Sequence, residues 1–185
     1  MHHYIAFHKP YGVLSQFTPD HPGQRTLAEF NFPTDVYTIG RLDKDSEGLI
    51  ILTNDGQLKG KMQDPKFAHE RTYLVQVEGV PTQEKIDELS KGVLIKDYKT
   101  RACTVKMVER PIDLEERDPP VRFRANIPTS FLEITLIEGK NRQVRRMTAK
   151  IGYPTLRLIR ISFGKLHLND LKLGEWRKID RKALL

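Results

Sequence analysis

The chain of 185 residues carries 31 Lys and Arg against 24 Asp and Glu, a formal charge of +7, with 38% hydrophobic residues and one cysteine, Cys103. That length holds one well-buried domain or two closely packed subdomains and excludes a tandem array; one cysteine excludes an internal disulfide and a cysteine-rich zinc site, and fits a reducing cytoplasm. The first ten residues lack a basic segment followed by a long apolar core, and no later apolar run reaches membrane-spanning length, so the chain reads as soluble, not exported and without a membrane partner.

In chain order, apolar alternation bounded by turn residues predicts strands at 4–7 and 36–39. The second strand leads into Gly40-Arg41-Leu42-Asp43-Lys44-Asp45-Ser46-Glu47-Gly48, and a continuous apolar run at 49–52 reads as a buried strand. Residues 40–56 thus hold four carboxylates, Asp43, Asp45, Glu47 and Asp55, on glycine-bracketed connections beside rigid elements, which is how a fold presents an acid to a substrate. A helix at 57–63 follows the Asn54-Asp55-Gly56 turn, and a strand follows at 73–77. The next helix, 82–91, begins after Pro81, turns Ile86 and Leu89 inward and stops at Gly92. After a strand at 104–108, the proline-rich and charged stretch 109–130 reads as a long surface loop, either a binding element or a disordered insertion. A strand at 132–137, a helix at 141–151 that ends at Gly152 with Pro154 beyond it, and a strand at 156–161 complete the list. Strands and helices in this irregular order, with several hairpins, predict an α+β fold with a mostly antiparallel or mixed central sheet and flanking helices rather than a doubly wound sheet.

The basic excess is concentrated. From Glu138 to Arg160 there are seven cations, Lys140, Arg142, Arg145, Arg146, Lys150, Arg157 and Arg160, against one acid. With no broad apolar face for lipid, such a patch points to nucleic acid; a solvated helix face is the plain alternative. At 100° per residue, Val144, Met147 and Ile151 form an apolar stripe, while Arg142, Arg146 and Lys150 form a row on the opposite side. Arg145 falls at the border of the buried face, where a guanidinium suits a half-buried carboxylate and holds it ionised. That makes Arg145 the candidate partner of Asp43, with an ordinary structural ion pair as the alternative. Tyr73 faces the same side as Val75 and Val77; its ring could stack on a base and its hydroxyl serve a proton transfer, or it could be a core tyrosine.

Other chemistries fit poorly. Asp43 to Gly48 partly mimics a calcium loop, but its twelfth place is Asn54 where a bidentate glutamate is needed. The six histidines show no zinc spacing, and no glycine-rich phosphate loop occurs. Nothing in the sequence asks for a metal or a nucleotide cofactor.

Five stretches, in order and spanning about residues 5 to 178, resemble the RsuA-type pseudouridine synthase family. They are His8-Lys9-Pro10-Tyr11-Gly12, the Gly40-Arg41-Leu42-Asp43 loop, Arg71-Thr72-Tyr73-Leu74-Val75, Glu138-Gly139-Lys140-Asn141-Arg142-Gln143-Val144-Arg145-Arg146-Met147, and Leu171-Lys172-Leu173-Gly174-Glu175-Trp176-Arg177. The resemblance implies one catalytic domain over 1–185, with two closely packed subdomains around a cleft, and without the amino-terminal S4-like RNA-binding module that most members carry. It implies conversion of a uridine to pseudouridine in large-subunit (23S) ribosomal RNA, free or in a pre-ribosomal particle, by a monomer that uses no cofactor. Asp43 becomes the catalytic nucleophile or base, Arg145 its ion-pair partner and Tyr73 the base-stacking group. Lys9, Lys140, Arg142, Arg146, Lys150, Arg157 and Arg160 become RNA contacts. Arg41 either inserts where the flipped base was or braces its loop. The competing readings are a catalytically idle RNA-binding protein on the same scaffold and a metal-dependent nuclease built on Asp43, Asp45 and Glu47.

Overall fold

Every residue of the strand Glu47–Thr53 is buried, as an apolar run flanked on both edges by other strands requires. In the computed structural model, which describes residues 2–122 and 124–185, this strand lies in the first of two units, formed by the residues up to His69 together with Arg160–Leu185; the second unit is Glu70–Ile159. The first unit opens with β1 (Tyr4–Lys9), β2 (Val13–Leu14), β3 (Arg25–Thr26), β4 (Tyr37–Ile39), β5 (Glu47–Thr53) and α1 (Gly56–Gln63). The second contains β6 (Arg71–Glu78), α2 (Gln83–Ser90), β7 (Leu94–Ile95), β8 (Tyr98–Lys99), β9 (Thr104–Val108), β10 (Thr129–Leu136) and α3 (Gln143–Lys150). β11 (Thr155–Phe163) returns the chain to the first unit, which closes with β12 (Leu166–His167) and β13 (Trp176–Lys178).

In the first unit β5 lies between β1 and β4, antiparallel to both: Ile51 faces Ala6 on one side and Ile39 on the other. β13 pairs with the free edge of β1, with Phe7 opposite Trp176. That register assembles an aromatic cluster. The ring centroid of fully buried Phe7 lies 4.7 Å from Phe30 and 5.0 Å from Phe32, and Trp176 lies 5.8 Å from Phe32. The indole Nε1 donates to the Phe30 carbonyl at 2.9 Å, so the half-buried ring packs without stranding its polar atom.

The second unit is an antiparallel sheet in the order β6, β10, β9, with Val75 opposite Leu132 and Leu132 opposite Met107. Val75, Val77, Leu132 and Ile134 form a core with Ile86 and Leu89 of α2 and Val144, Met147 and Ile151 of α3. The apolar stripes predicted for both helices are therefore the faces they bury. Thr82 caps α2, its side chain accepting from the Lys85 N–H.

All seven predicted strands and three predicted helices occur, and the fold is α+β as expected. The two-residue strands β2, β3, β7, β8 and β12 escape sequence reading because two residues display no period. The stretch expected as a surface loop ends earlier than predicted, since β10 begins at Thr129. Its described residues form neither helix nor strand, and Phe123 lies outside the described residues. Two arginines secure it reciprocally: Arg117 Nη1 donates to the Leu156 carbonyl at 3.2 Å, and Arg157 Nη1 donates to the Glu115 carbonyl at 2.7 Å. No helix among the described residues is long and apolar enough to cross a membrane.

Phe7→Ala removes the centre of the aromatic cluster, so urea unfolding is expected to show a loss of about 3–5 kcal/mol.

Candidate active site

The Asp43 loop is held from both sides of the acid. Ser15 Oγ donates to the Leu42 carbonyl at 2.7 Å and accepts from the Leu42 N–H at 3.1 Å. The Lys44 carbonyl accepts from the Gly12 N–H at 2.8 Å and from Lys9 Nζ at 3.5 Å. The Asp43 carbonyl accepts from the Ser46 N–H at 3.0 Å, closing a turn. Gly40, at φ +72°, makes the left-handed entry that a side chain would strain. Asp43 itself is half-buried, and Ser46 and Glu47 behind it are 1% exposed. Residues 9–15 and 42–44 therefore fix one another, with the acid at the centre of the clamp.

Gly48 explains the other glycine of the loop. A Cβ there would lie 2.3 Å from the Arg160 carbonyl oxygen, and φ is +107°. Two backbones touch at this point, and any side chain would separate them.

Lys9 has no exposed surface, and its ammonium donates to the carbonyls of Val13 at 2.7 Å and Pro10 at 2.9 Å, besides Lys44. Burial pulls its pKa down to about 7, against the opposing pull of the Glu47, Asp45 and Asp43 carboxylates. Arg157 and Arg160 are each 3% exposed; Arg160 Nε donates to the Leu49 carbonyl at 2.8 Å and its guanidinium lies 5.5 Å from the Phe163 ring centroid. Sequence reading counts Lys9, Arg157 and Arg160 among the phosphate contacts. The structure corrects this: all three lie below the surface and hydrogen-bond to backbone carbonyls. Arg41 does lie at the surface, 3.5 Å from Gln16 Oε1.

In the second unit α3 buries the stripe its periodicity predicts, while Arg146, expected on the outer row with Arg142 and Lys150, is half-buried. Val144, Met147 and Ile151 are buried, Arg142 and Lys150 are exposed, and Arg145 and Arg146 are half-buried. Arg142 starts the helix in the left-handed region at φ +51°, and Arg146 donates to Asn141 Oδ1 at 2.7 Å. Tyr73, also half-buried, packs against the core that includes Val144 and Met147. Asp43 thus stands on the first unit, and Tyr73 and Arg145 on the second.

Sequence reading misses the support beneath α3. Glu138 accepts from the Tyr98 hydroxyl at 2.5 Å, from the Arg101 N–H at 2.9 Å and from Gln143 Nε2 at 2.5 Å. The buried Gln143 side chain in turn accepts from the Lys140 N–H at 2.8 Å. Although burial opposes it, these donors hold the Glu138 carboxyl below its ordinary pKa. Lys140 Nζ lies 4.6 Å from the Tyr98 ring centroid. The only signal available in sequence was Glu138 opening the basic segment as its sole acid.

Among the described residues no group of three or more His, Cys, Asp or Glu is placed to hold a metal ion. A hollow of about 620 Å³ in the first unit, among Phe30, Asp170, Glu175 and Arg177, includes no predicted site residue.

Residues 3–150 match the RNA pseudouridylate synthase family, and the chain belongs to it. It is 55% identical over 175 residues to a ribosomal large subunit pseudouridine synthase E of Vibrio parahaemolyticus, covering 95% of this chain and 73% of that one. It is 49% identical over 181 residues to a protein of the same name from Xanthomonas campestris, covering 97% of each. Among solved structures, a pseudouridylate synthase superimposes with a TM-score of 0.80 at 25% identity, covering all of this chain and 73% of that one.

Two stability measurements test the loop's construction. Gly48→Ala combines left-handed strain with a backbone clash, and is expected to cost about 2–5 kcal/mol in urea unfolding. Lys9 is depressed in the folded state, so above pH 7 the folded protein has released a proton that the unfolded chain keeps until about pH 10. Stability relative to Lys9→Met is therefore expected to rise between pH 7 and 10, by at most about 1.4 kcal/mol per pH unit, and to stay level below pH 6.

Proposed function

We propose that this chain isomerises a uridine of large-subunit ribosomal RNA to pseudouridine, with Asp43 as the essential acid, Arg145 as its ion-pair partner and Tyr73 as the base-stacking group. The observation that carries the reading is the clamp on the Asp43 loop: Ser15, Gly12 and Lys9 engage its two neighbours and fix the backbone that carries the carboxylate. The names of the relatives support the choice of RNA.

The reaction breaks the N1 to C1′ glycosidic bond, rotates the uracil, and joins C5 to C1′; the proton lost from C5 is balanced by one gained at N1. No redox partner or energy source enters. An ionised Asp43 is needed whether the carboxylate attacks the sugar or the base, and a neighbouring guanidinium keeps it ionised in a site from which water is excluded. Tyr73 supplies a ring for the flipped base and a hydroxyl for relaying the C5 proton. Unstacking a uridine costs a few kcal/mol, which phosphate contacts must offset. Arg41, Lys140, Arg142, Arg146 and Lys150 remain as the candidate contacts, since Arg142 and Lys150 are exposed and Arg41 is at the surface. The two units function together as one catalytic domain, as a monomer in the cytoplasm.

The test is a carbodiimide and primer-extension map of pseudouridines in large-subunit rRNA from cells lacking this protein. One stop is expected to disappear, to return with the wild-type chain, and to stay absent with Asp43→Asn. Arg145→Lys, which keeps charge but loses the bidentate fork, is expected to slow turnover at least tenfold. An unchanged map defeats the reading.

A further inference from the structure

The direction of Arg145 is set by how α3 starts, and α3 starts without the usual side-chain cap. The residue at its amino-terminal boundary is Arg142, held in the left-handed region at φ +51° and making no capping hydrogen bond. A serine, threonine or aspartate there would accept from a free N–H of the first turn; a guanidinium has nothing to accept with. A non-glycine residue keeps such a backbone only where its surroundings hold it.

What holds it is a side-chain bridge. Lys140 and Gln143 exchange two hydrogen bonds across the turn that contains Arg142: the Gln143 N–H donates to the Lys140 carbonyl at 3.1 Å, and Gln143 Oε1 accepts from the Lys140 N–H at 2.8 Å. The other end of that amide, Nε2, donates to Glu138 Oε1 and lies 3.7 Å from Met147 Sδ, one turn along α3. Glu138 carries the connection away from the helix, because its Oε2 accepts from the Tyr98 hydroxyl and its Oε1 from the Arg101 N–H. Tyr98 faces Ile95 across the β7–β8 hairpin, and Ile95 is buried in one core with Val144, Met147 and Ile151. One carboxylate thus ties the start of α3 to the hairpin that packs with the same helix. Both oxygens of Glu138 and both ends of the Gln143 amide are occupied.

We propose that Glu138 is a positioning residue for the reaction: through Gln143 it fixes the turn at Arg142, and with it the aim of Arg145 three residues on. This rests on the rRNA reading above, in which Arg145 pairs with Asp43. A bidentate guanidinium–carboxylate pair needs direction as well as distance, and a misplacement of about 1 Å in a reacting site costs up to about a hundredfold in rate. The exposed Lys140 and Lys150 tolerate the same displacement, because a flexible stem lets a point charge follow its phosphate. The brace therefore acts on turnover and leaves RNA binding nearly unchanged. It acts by geometry rather than charge. A glutamine at 138 keeps an oxygen for Arg101 and Gln143 and turns an N–H toward the Tyr98 hydroxyl, which then accepts.

The experiment follows tritium release from a large-subunit rRNA transcript labelled at uridine C5, with the full chain in excess, and measures binding of the same transcript by filter retention. Glu138→Ala and Gln143→Met are each expected to slow the single-turnover rate about tenfold while Kd changes less than about threefold. Glu138→Gln is expected to stay within about threefold of the wild-type rate. In a chain that already carries Arg145→Lys, adding Glu138→Ala is expected to cost less than about a further twofold, since the fork it aims is gone. Gln143→Met fills the same space against Met147 and leaves Glu138 its contacts with Tyr98 and Arg101, so it tests the bridge even where Glu138→Ala lowers the urea midpoint. A wild-type rate in Gln143→Met, equal losses of rate and binding, losses that multiply with Arg145→Lys, or a Glu138→Gln variant as slow as Glu138→Ala each overturn the proposal. A wild-type chain that releases no tritium defeats the rRNA reading and this inference with it, whereas any of the other four defeats this inference alone.

Discussion

A buried ammonium organises the acid-bearing unit. Lys9 ends β1, has no exposed surface, and donates hydrogen bonds to the carbonyls of Pro10, Val13 and Lys44. The Pro10 and Lys44 carbonyls lie in a turn and a loop and that of Val13 in the two-residue strand β2, so one ammonium ties three separate pieces of backbone together. Burying a charge is costly, and the carboxylates of Glu47, Asp45 and Asp43 offset part of that cost. Position follows from it: β1 pairs with β5 so that Lys9 faces Gly48, and the backbone contact of Gly48 with Arg160 then seats the loop from behind.

Much of the fold is legible in the sequence. Periodicity alone placed Val144, Met147 and Ile151 inside and Arg142 and Lys150 outside, because a helix has one period and one buried stripe. The unbroken run at 49–52 read correctly as a buried strand, since only a strand covered on both faces and edges tolerates four successive apolar side chains. The motif spacing led to the right family.

Charge was read less well. Lys9, Arg157 and Arg160 look in sequence like any other cation of a basic protein, yet each is used to satisfy backbone carbonyls. Nothing local distinguishes an arginine that clasps a loop from one that waits for phosphate; the difference lies in what packs on it from distant sequence. The Glu138 network was invisible for the same reason, as Tyr98 lies 40 residues from the carboxylate it serves.

The first unit is built from both ends of the chain, while the second is one continuous segment. During synthesis, the arginine helix and its sheet therefore have all their partners once residue 159 has emerged, whereas Phe7 and Phe32 wait for Trp176. Until then the amino-terminal strands have an open edge along β1 and an unfinished aromatic cluster. A nascent chain of this protein is thus expected to fold the second unit first, and to complete the unit that carries its acid loop only after Trp176 has emerged. A chain cut short before Trp176 then carries a complete arginine helix but an unclosed unit around its acid.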